Sequence, residues 1–221
     1  IHIKNFRNFR DKEIQFNDGV NIIIGHNNAG KTNLIKALSL IFDYKITKRL
    51  GADDFNKFLS LESLKENPPK ITISVTISQG KTQKADDLVT ISNWLTKLDA
   101  SYDALLTYEF FLPEKEINAY KVAVGSISDT DEKALEKIWK VIKNDFIRFY
   151  VHKIWGGNII NHAVADGESL QKFDFQFLDA IRDVERDMLT GRNTLLRDVL
   201  GFFMDYDIKE KTDRLDDEKN E

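Results

Sequence analysis

The stretch Gly25-His26-Asn27-Asn28-Ala29-Gly30-Lys31-Thr32 constrains this chain more than any other feature, because it fills every fixed position of the pattern G-x-x-x-x-G-K-S/T. That pattern has a mechanism only when it joins a strand to a helix. Both flanks are expected here. Residues 20–24 are a run of β-branched side chains interrupted by Asn21 alone, which predicts a strand buried on both faces. Beyond the loop, Leu34, Ile35, Ala37, Leu38, Leu40 and Ile41 recur at helical spacing and predict a helix over 32–42.

Backbone N–H groups gathered at a helix N-terminus, together with the positive end of its dipole, make a cradle for phosphate oxygens. Gly25 and Gly30 let the backbone come close enough to those oxygens. Lys31 is expected to set its ammonium against the β- and γ-phosphates of a nucleoside triphosphate, and the Thr32 hydroxyl to be a ligand of Mg²⁺. The predicted binding set in the loop is Gly25, Asn27, Asn28, Ala29, Gly30, Lys31, Thr32 and Asn33, with Lys31 in the catalytic role and Thr32 at the metal.

The chain of 221 residues, 42% hydrophobic and 31% charged, is long enough to bury one sizeable core. A net charge of -4 excludes a uniformly basic coat protein, so any nucleic-acid contact needs a local patch. The absence of cysteine excludes a disulfide framework and thiolate metal sites and fits a reducing cytoplasm. No apolar run approaches the roughly 20 residues of a membrane span, and no basic-then-apolar leader opens the chain. The first residue is Ile1, not Met, so the natural N-terminus is expected upstream.

Apolar and polar residues alternate in Ile1-His2-Ile3-Lys4 and in Glu13-Ile14-Gln15-Phe16, predicting two antiparallel strands. Strict alternation over 71–77 predicts a strand with one solvated face. Segments 105–112 and 117–124 read as a strand hairpin around Pro113, whereas 85–98 and 132–147 carry helical spacing. A short aromatic-rich strand is expected over 173–178, a helix over 194–203, and a solvated acidic stretch from Asp205 onward.

The opening Ile1-His2-Ile3-Lys4-Asn5-Phe6-Arg7-Asn8-Phe9-Arg10, followed by Ile14-Gln15-Phe16 and Val20-Asn21-Ile22-Ile23-Ile24-Gly25, resembles the N-terminal lobe of the ABC-type ATPase heads of RecF, SMC and OLD (overcoming lysogenization defect) proteins. In those families an I-x-N-F-R hairpin sits beside the nucleotide and the loop reads G-x-N-x-x-G-K-S/T. Asn27 holds the asparagine position, and Asn28 stands where many members have glycine. The resemblance implies that Arg7 and Asn8 lie near the adenosine or its phosphates; by charge alone, Arg7 is equally well a surface residue of a hairpin. Asp53-Asp54-Phe55 resembles a D-D-F element of OLD-type nucleases, and Phe177-Leu178-Asp179-Ala180-Ile181-Arg182-Asp183 resembles their strand-then-A-x-R-D segment.

The fold implied is α/β, a P-loop NTPase of the ABC-ATPase head type, with an antiparallel β lobe plus a partial parallel core sheet with helices. It would be one incomplete ATPase domain over 1–221: hairpin, loop strand and helix in 1–60, a strand-rich arm with helices in 61–172, and a core strand with a C-terminal helix in 173–221. The function implied is the ATP-binding part of an OLD-family ATP-dependent DNA endonuclease. ATP and Mg²⁺ would govern cleavage by a separate Toprim module, in DNA processing or anti-phage defence in the cytoplasm. Partners implied are DNA through the full-length protein, further copies of the chain in a homodimer or higher homo-oligomer, and a helicase or other defence partner. The alternatives are a RecF- or SMC-type repair head, SMC being disfavoured by the absence of sustained heptads, and a non-hydrolytic nucleotide-sensing scaffold.

A hydrolysing head of this kind needs an L-S-G-G-Q-like signature and an apolar strand ending in Asp-Glu, and this sequence contains neither. The apolar run 199–205 ends in Asp205 but continues with Tyr206, and its stripe of Leu195, Leu196, Val199, Leu200 and Phe203 reads as a helix. Asp205-Tyr206-Asp207 imitates a Toprim metal site without the upstream glutamate strand, and reads as a solvated helix end. The chain is therefore expected to be the front part of a longer enzyme. His2, His26, His152 and His162 lack zinc-ligand spacing, Arg182, Arg186, Arg192 and Arg197 read as a solvated surface, and Trp94, Trp139 and Trp155 read as core.

Overall fold

The alternating residues at the start of the chain form the expected hairpin, from β1 (His2–Phe6) and β2 (Phe9–Glu13). In a computed structural model, residues 1–80, 85–98, 102–128, 131–173 and 175 are described, and they fall within one compact unit, Ile1–Gln176. Strand β2 begins earlier than the 13–16 alternation predicted, because the tight turn at Arg7 and Asn8 already pairs Phe6 with Phe9. The later residues still add a contact, Ile14 N–H donating to the Ile1 carbonyl at 2.8 Å.

Strands β3 (Ile71–Ser78), β4 (Leu95–Leu98), β5 (Tyr102–Phe111) and β6 (Val151–Gly156) join the hairpin in a six-stranded sheet of order β2-β1-β3-β5-β4, with β6 also on β5. All of these pairs are antiparallel. The antiparallel lobe is thus present, whereas no parallel pair of the expected core sheet occurs among the described residues. The alternation read in β3 has its physical counterpart: Ile71, Ile73 and Val75 are buried, with Thr72 and Ser74 half-buried between them. They register with Phe110, Tyr108 and Leu106 of β5. Helix α1 (Lys31–Phe42) packs against β5 and buries Leu34, Ala37, Leu40 and Ile41. Phe55 joins this core, its ring 5.7 Å from Phe110 and 5.4 Å from Tyr150.

The opposite face of β5 carries two buried polar residues, Thr107 and Glu109. Glu109 is buried there, its carboxylate accepting from Lys70 Nζ at 2.7 Å and from Trp155 Nε1 at 2.8 Å.

Several expectations fail for identifiable reasons. Segment 117–124 is not a strand but lies within helix α4 (Glu114–Gly125). Pro113 stands at the helix start, where a missing N–H is harmless, and Glu114 and Glu116 favour the first turn. Tyr120 and Val124, four residues apart, are wholly buried. The 85–98 helix divides into α3 (Ala85–Ile91), a 3-10 turn at Ser92–Trp94 and β4. The 132–147 helix is α5 (Ala134–Val141) continued by a π turn over Ile142–Phe146. Short helices α2 (Leu61–Glu66) and α6 (Gly167–Gln171) complete the elements. No helix among the described residues is long and apolar enough to cross a membrane. Trp94 and Trp155 are buried as expected, while Trp139 is half-buried.

The largest departure is at 20–24. This segment forms no strand among the described residues, and Val20, Ile22 and Ile24 are 89%, 80% and 90% exposed. A strand buried on both faces requires sheet partners and a covering layer on each side, and neither is found for this segment among the described residues. The readings at 173–178, 194–203, Arg182, Arg186, Arg192, Arg197, Asp205 and Asp207 lie outside the described residues, apart from Phe173 and Phe175, whose rings approach Phe42 at 5.1 and 6.4 Å.

These burial differences set a stability contrast. Ile73→Ala is expected to cost about 2–5 kcal/mol, and Ile22→Ala to stay within about 0.5 kcal/mol of the parent. Urea denaturation of the 221-residue chain checks both; equal losses would mean that the 20–24 segment is buried in solution.

Candidate nucleotide site

Helix α1 begins directly after Gly30, whose φ of +99° is a left-handed conformation natural to glycine. Asn28 is also left-handed, with φ +65°, which asparagine tolerates better than most residues. The loop closes on itself through Ala29 N–H to the His26 carbonyl at 3.1 Å, and the first helical bond runs from Leu34 N–H to the Gly30 carbonyl at 2.9 Å. No side chain caps the helix and no acid occupies its first turn. The early N–H groups and the positive dipole end are therefore left facing a cavity of about 530 Å³ lined by Asn27, Asn28, Gly30, Lys31, Thr32 and Asn33.

Six of the eight loop residues predicted from the pattern thus line one concavity, while Gly25 and Ala29 stay outside its lining. Lys31 lies across the loop, its ammonium donating to the carbonyls of Gly25 at 2.6 Å and His26 at 2.8 Å. Thr32 is exposed beside it. Among the described residues no group of three or more His, Asp or Glu side chains forms a metal cage. A Mg²⁺ ion held by phosphate oxygens, water and one hydroxyl fits such a donor set; a cation needing several carboxylates does not.

Arg7 and Asn8 do reach this site, but not as a free cation beside an asparagine. Arg7 has a left-handed φ of +51°, held by its N–H to the Asp54 carbonyl at 2.7 Å and by Asn56 Nδ2 to its own carbonyl at 2.8 Å. Its guanidinium donates from Nε and Nη2 to Asp54 Oδ1, both at 2.8 Å, and from Nη1 to Asn33 Oδ1 at 2.9 Å. Asn33 Nδ2 donates to Asn8 Oδ1 at 2.7 Å, and Asn8 Nδ2 makes a long 3.4 Å contact to the Ala29 carbonyl. The Asp-Asp-Phe segment therefore matters through Asp54. Asp54 and Asn56 were not among the predicted site residues; the segment's identity was visible, but its partners lie about 50 positions away in the chain, where no local spacing rule reaches.

On the far side of the same segment, Asp53 pairs with Lys143 at 3.3 Å, and the Lys57 ammonium sits 3.8 Å from the centre of the Trp139 ring. Burial pushes the Lys57 pKa down, opposed by the nearby Asp53 carboxylate.

A helix-end phosphate cradle on the flank of an antiparallel lobe defines a P-loop ATPase domain. Residues 1–220 match the AAA ATPase domain family, and the chain belongs to that family. It is similar to the DNA replication and repair protein RecF of Shewanella pealeana, at 24% identity over 233 residues covering all of this chain and 62% of that protein. The RecF of Acetivibrio thermocellus is 36% identical over 96 residues, 40% of this chain and 26% of that protein. The chromosome partition protein Smc of Methanococcus voltae is 33% identical over 60 residues, 27% of this chain and 5% of that protein. The chain spans less than two thirds of the length of these relatives.

A β-carbon at residue 30 would lie 2.3 Å from Asn8 Nδ2, in addition to the strain of its positive φ. Gly30→Ala is expected to destabilise the chain by about 1 kcal/mol and to abolish binding of a fluorescent ATP analogue. Gly80→Ala, where nothing lies within 4 Å, should leave both unchanged.

Proposed function

We propose that this chain is the ATP-binding part of an ABC-type head that works in DNA processing. ATP is held with its phosphates on the Gly25 to Asn33 loop and Mg²⁺ beside Thr32. The single observation that carries the reading is the uncapped, acid-free start of α1 opening on the loop cavity. Lys31 is the cation that meets the β- and γ-phosphates, exchanging two carbonyl partners for phosphate oxygens, a charge-assisted and stronger bond. The Thr32 hydroxyl would hold Mg²⁺ together with phosphate and water, and the ion would supply charge neutralisation at the phosphates. The described residues supply the cradle, the ammonium and the hydroxyl, and no cluster of three or more acids or histidines stands among them to hold a second metal.

Among DNA-processing heads, the favoured reading is the front part of an OLD-type, cytoplasmic, ATP-governed endonuclease acting through a Toprim module and assembled as a homo-oligomer. The Asp-Asp-Phe segment, bonded directly to the hairpin beside the site, supports it. The second reading is a RecF-type head without nuclease, which the names of the relatives favour. Metal-dependent cleavage of plasmid DNA by the protein at its natural length separates the two.

Titration calorimetry with Mg·ATP tests the shared core of both readings. Lys31→Ala is expected to weaken binding at least about tenfold, and the parent 221-residue chain to hydrolyse bound ATP slowly. Unchanged affinity in Lys31→Ala, or brisk turnover by the parent, would overturn the assignment.

A further inference from the structure

We propose that Asp54 is a positioning residue for the nucleotide site: it accepts from Arg7 and so orients a chain of donors that runs from Arg7 through Asn33 and Asn8 to the Ala29 carbonyl of the phosphate loop. The inference rests on the nucleotide reading above and adds to it a residue outside the loop.

A guanidinium only donates, and a carboxylate only accepts. Asp54 is itself fixed, its Oδ2 accepting from Gly51 N–H at 2.9 Å while its Oδ1 takes the Nε and Nη2 of Arg7. That leaves Nη1 as the edge Arg7 turns to helix α1, and it demands an oxygen from Asn33. With its oxygen so engaged, Asn33 must present its NH₂ to Asn8, and Asn8 must answer with its own oxygen. The Asn8 NH₂ is then the group left facing the Ala29 carbonyl and packed against Gly30. Each amide orientation follows from the previous one, so all of them trace back to the pair at Asp54.

The final link acts on the cradle. In a trans peptide the carbonyl and the following N–H point in opposite directions. Drawing the Ala29 carbonyl toward the hairpin turns the Gly30 N–H away from it, and Gly30 lines the loop cavity. Asp54 and Arg7 are partly shielded, at 18% and 29% side-chain exposure, and Arg7 is held in a strained φ by two further backbone bonds to the same segment. Strain maintained by the surrounding bonds is a common mark of a functional constraint.

The test measures Mg·ATP affinity for the parent, Asp54→Asn, Asn33→Ala, their double variant, Arg7→Lys and Lys31→Ala, with urea midpoints alongside. Asp54→Asn and Asn33→Ala are each expected to weaken binding about tenfold, and the double variant no more than the weaker single, because both cut the same chain. Arg7→Lys, which keeps the charge but cannot serve both partners in one plane, should behave like Asp54→Asn. Asn33→Ala, on the surface of α1, should keep the parent's urea midpoint, so its loss of affinity is not a loss of fold. Multiplying losses in the double variant, or parent-like affinity in Asn33→Ala while Lys31→Ala fails to bind, would overturn the relay alone. Parent-like affinity in Lys31→Ala would instead overturn the nucleotide reading beneath it.

Discussion

The pairing of Arg7 with Asp54 brings together three pieces of chain that have no local reason to meet. The hairpin tip, the segment 51–56 and the first turn of α1 share one guanidinium, and Asn56, wholly buried, closes the joint by bonding back to Arg7 and Asn5. A partly shielded ion pair between two side chains contributes only modestly alone. Its weight comes from company: two backbone bonds and an isolated strand bridge between Phe6 and Phe55 hold the same residues in register. Phe55 then carries the connection into the core through Phe110, Trp139 and Tyr150. The placement of the loop relative to the sheet depends on this joint, because the hairpin is where the sheet and the helix start come within bonding distance.

What could be read from the sequence was what local periodicity and one rigid motif determine. The loop, the helix after it and the alternating strand at 71–77 all fall where expected, since each is dictated by spacing within a few residues. Errors arose where neighbours decide. The apolar run 20–24 reads as a buried strand, but burial belongs to the sheet around a strand and not to the strand. Residues 117–124 mix apolar and polar positions in a way both periods accept, and the acids after Pro113 tip the balance to a helix. Strand β6 was missed because only its second half is buried, leaving Val151, His152 and Lys153 on a solvated edge.

The candidate site divides along the same line. Six of the predicted residues, Asn27, Asn28, Gly30, Lys31, Thr32 and Asn33, line the cavity, because the pattern itself encodes a backbone shape. Arg7 and Asn8 bond to Asn33 and Ala29 beside the loop, and the Arg7 guanidinium is engaged by Asp54 and Asn33. The residue that controls it is an acid, a type that a search for phosphate-binding groups passes over.

Glu109 gives the sheet a property that hydrophobic packing alone would not. Its carboxylate is buried and joins Lys70, at the entrance to β3, to Trp155 on β6, so a single side chain ties β5 to two of its three neighbours. Sliding either neighbour by one residue would turn its partner to the wrong face and strand a negative charge in the interior. Apolar side chains forgive a slip of two residues, which keeps each on its own face, since one isoleucine contacts another almost as well as a third. The buried acid does not, and so it works as a key with one fit, giving the lobe a single admissible alignment on which the distant loop can be built.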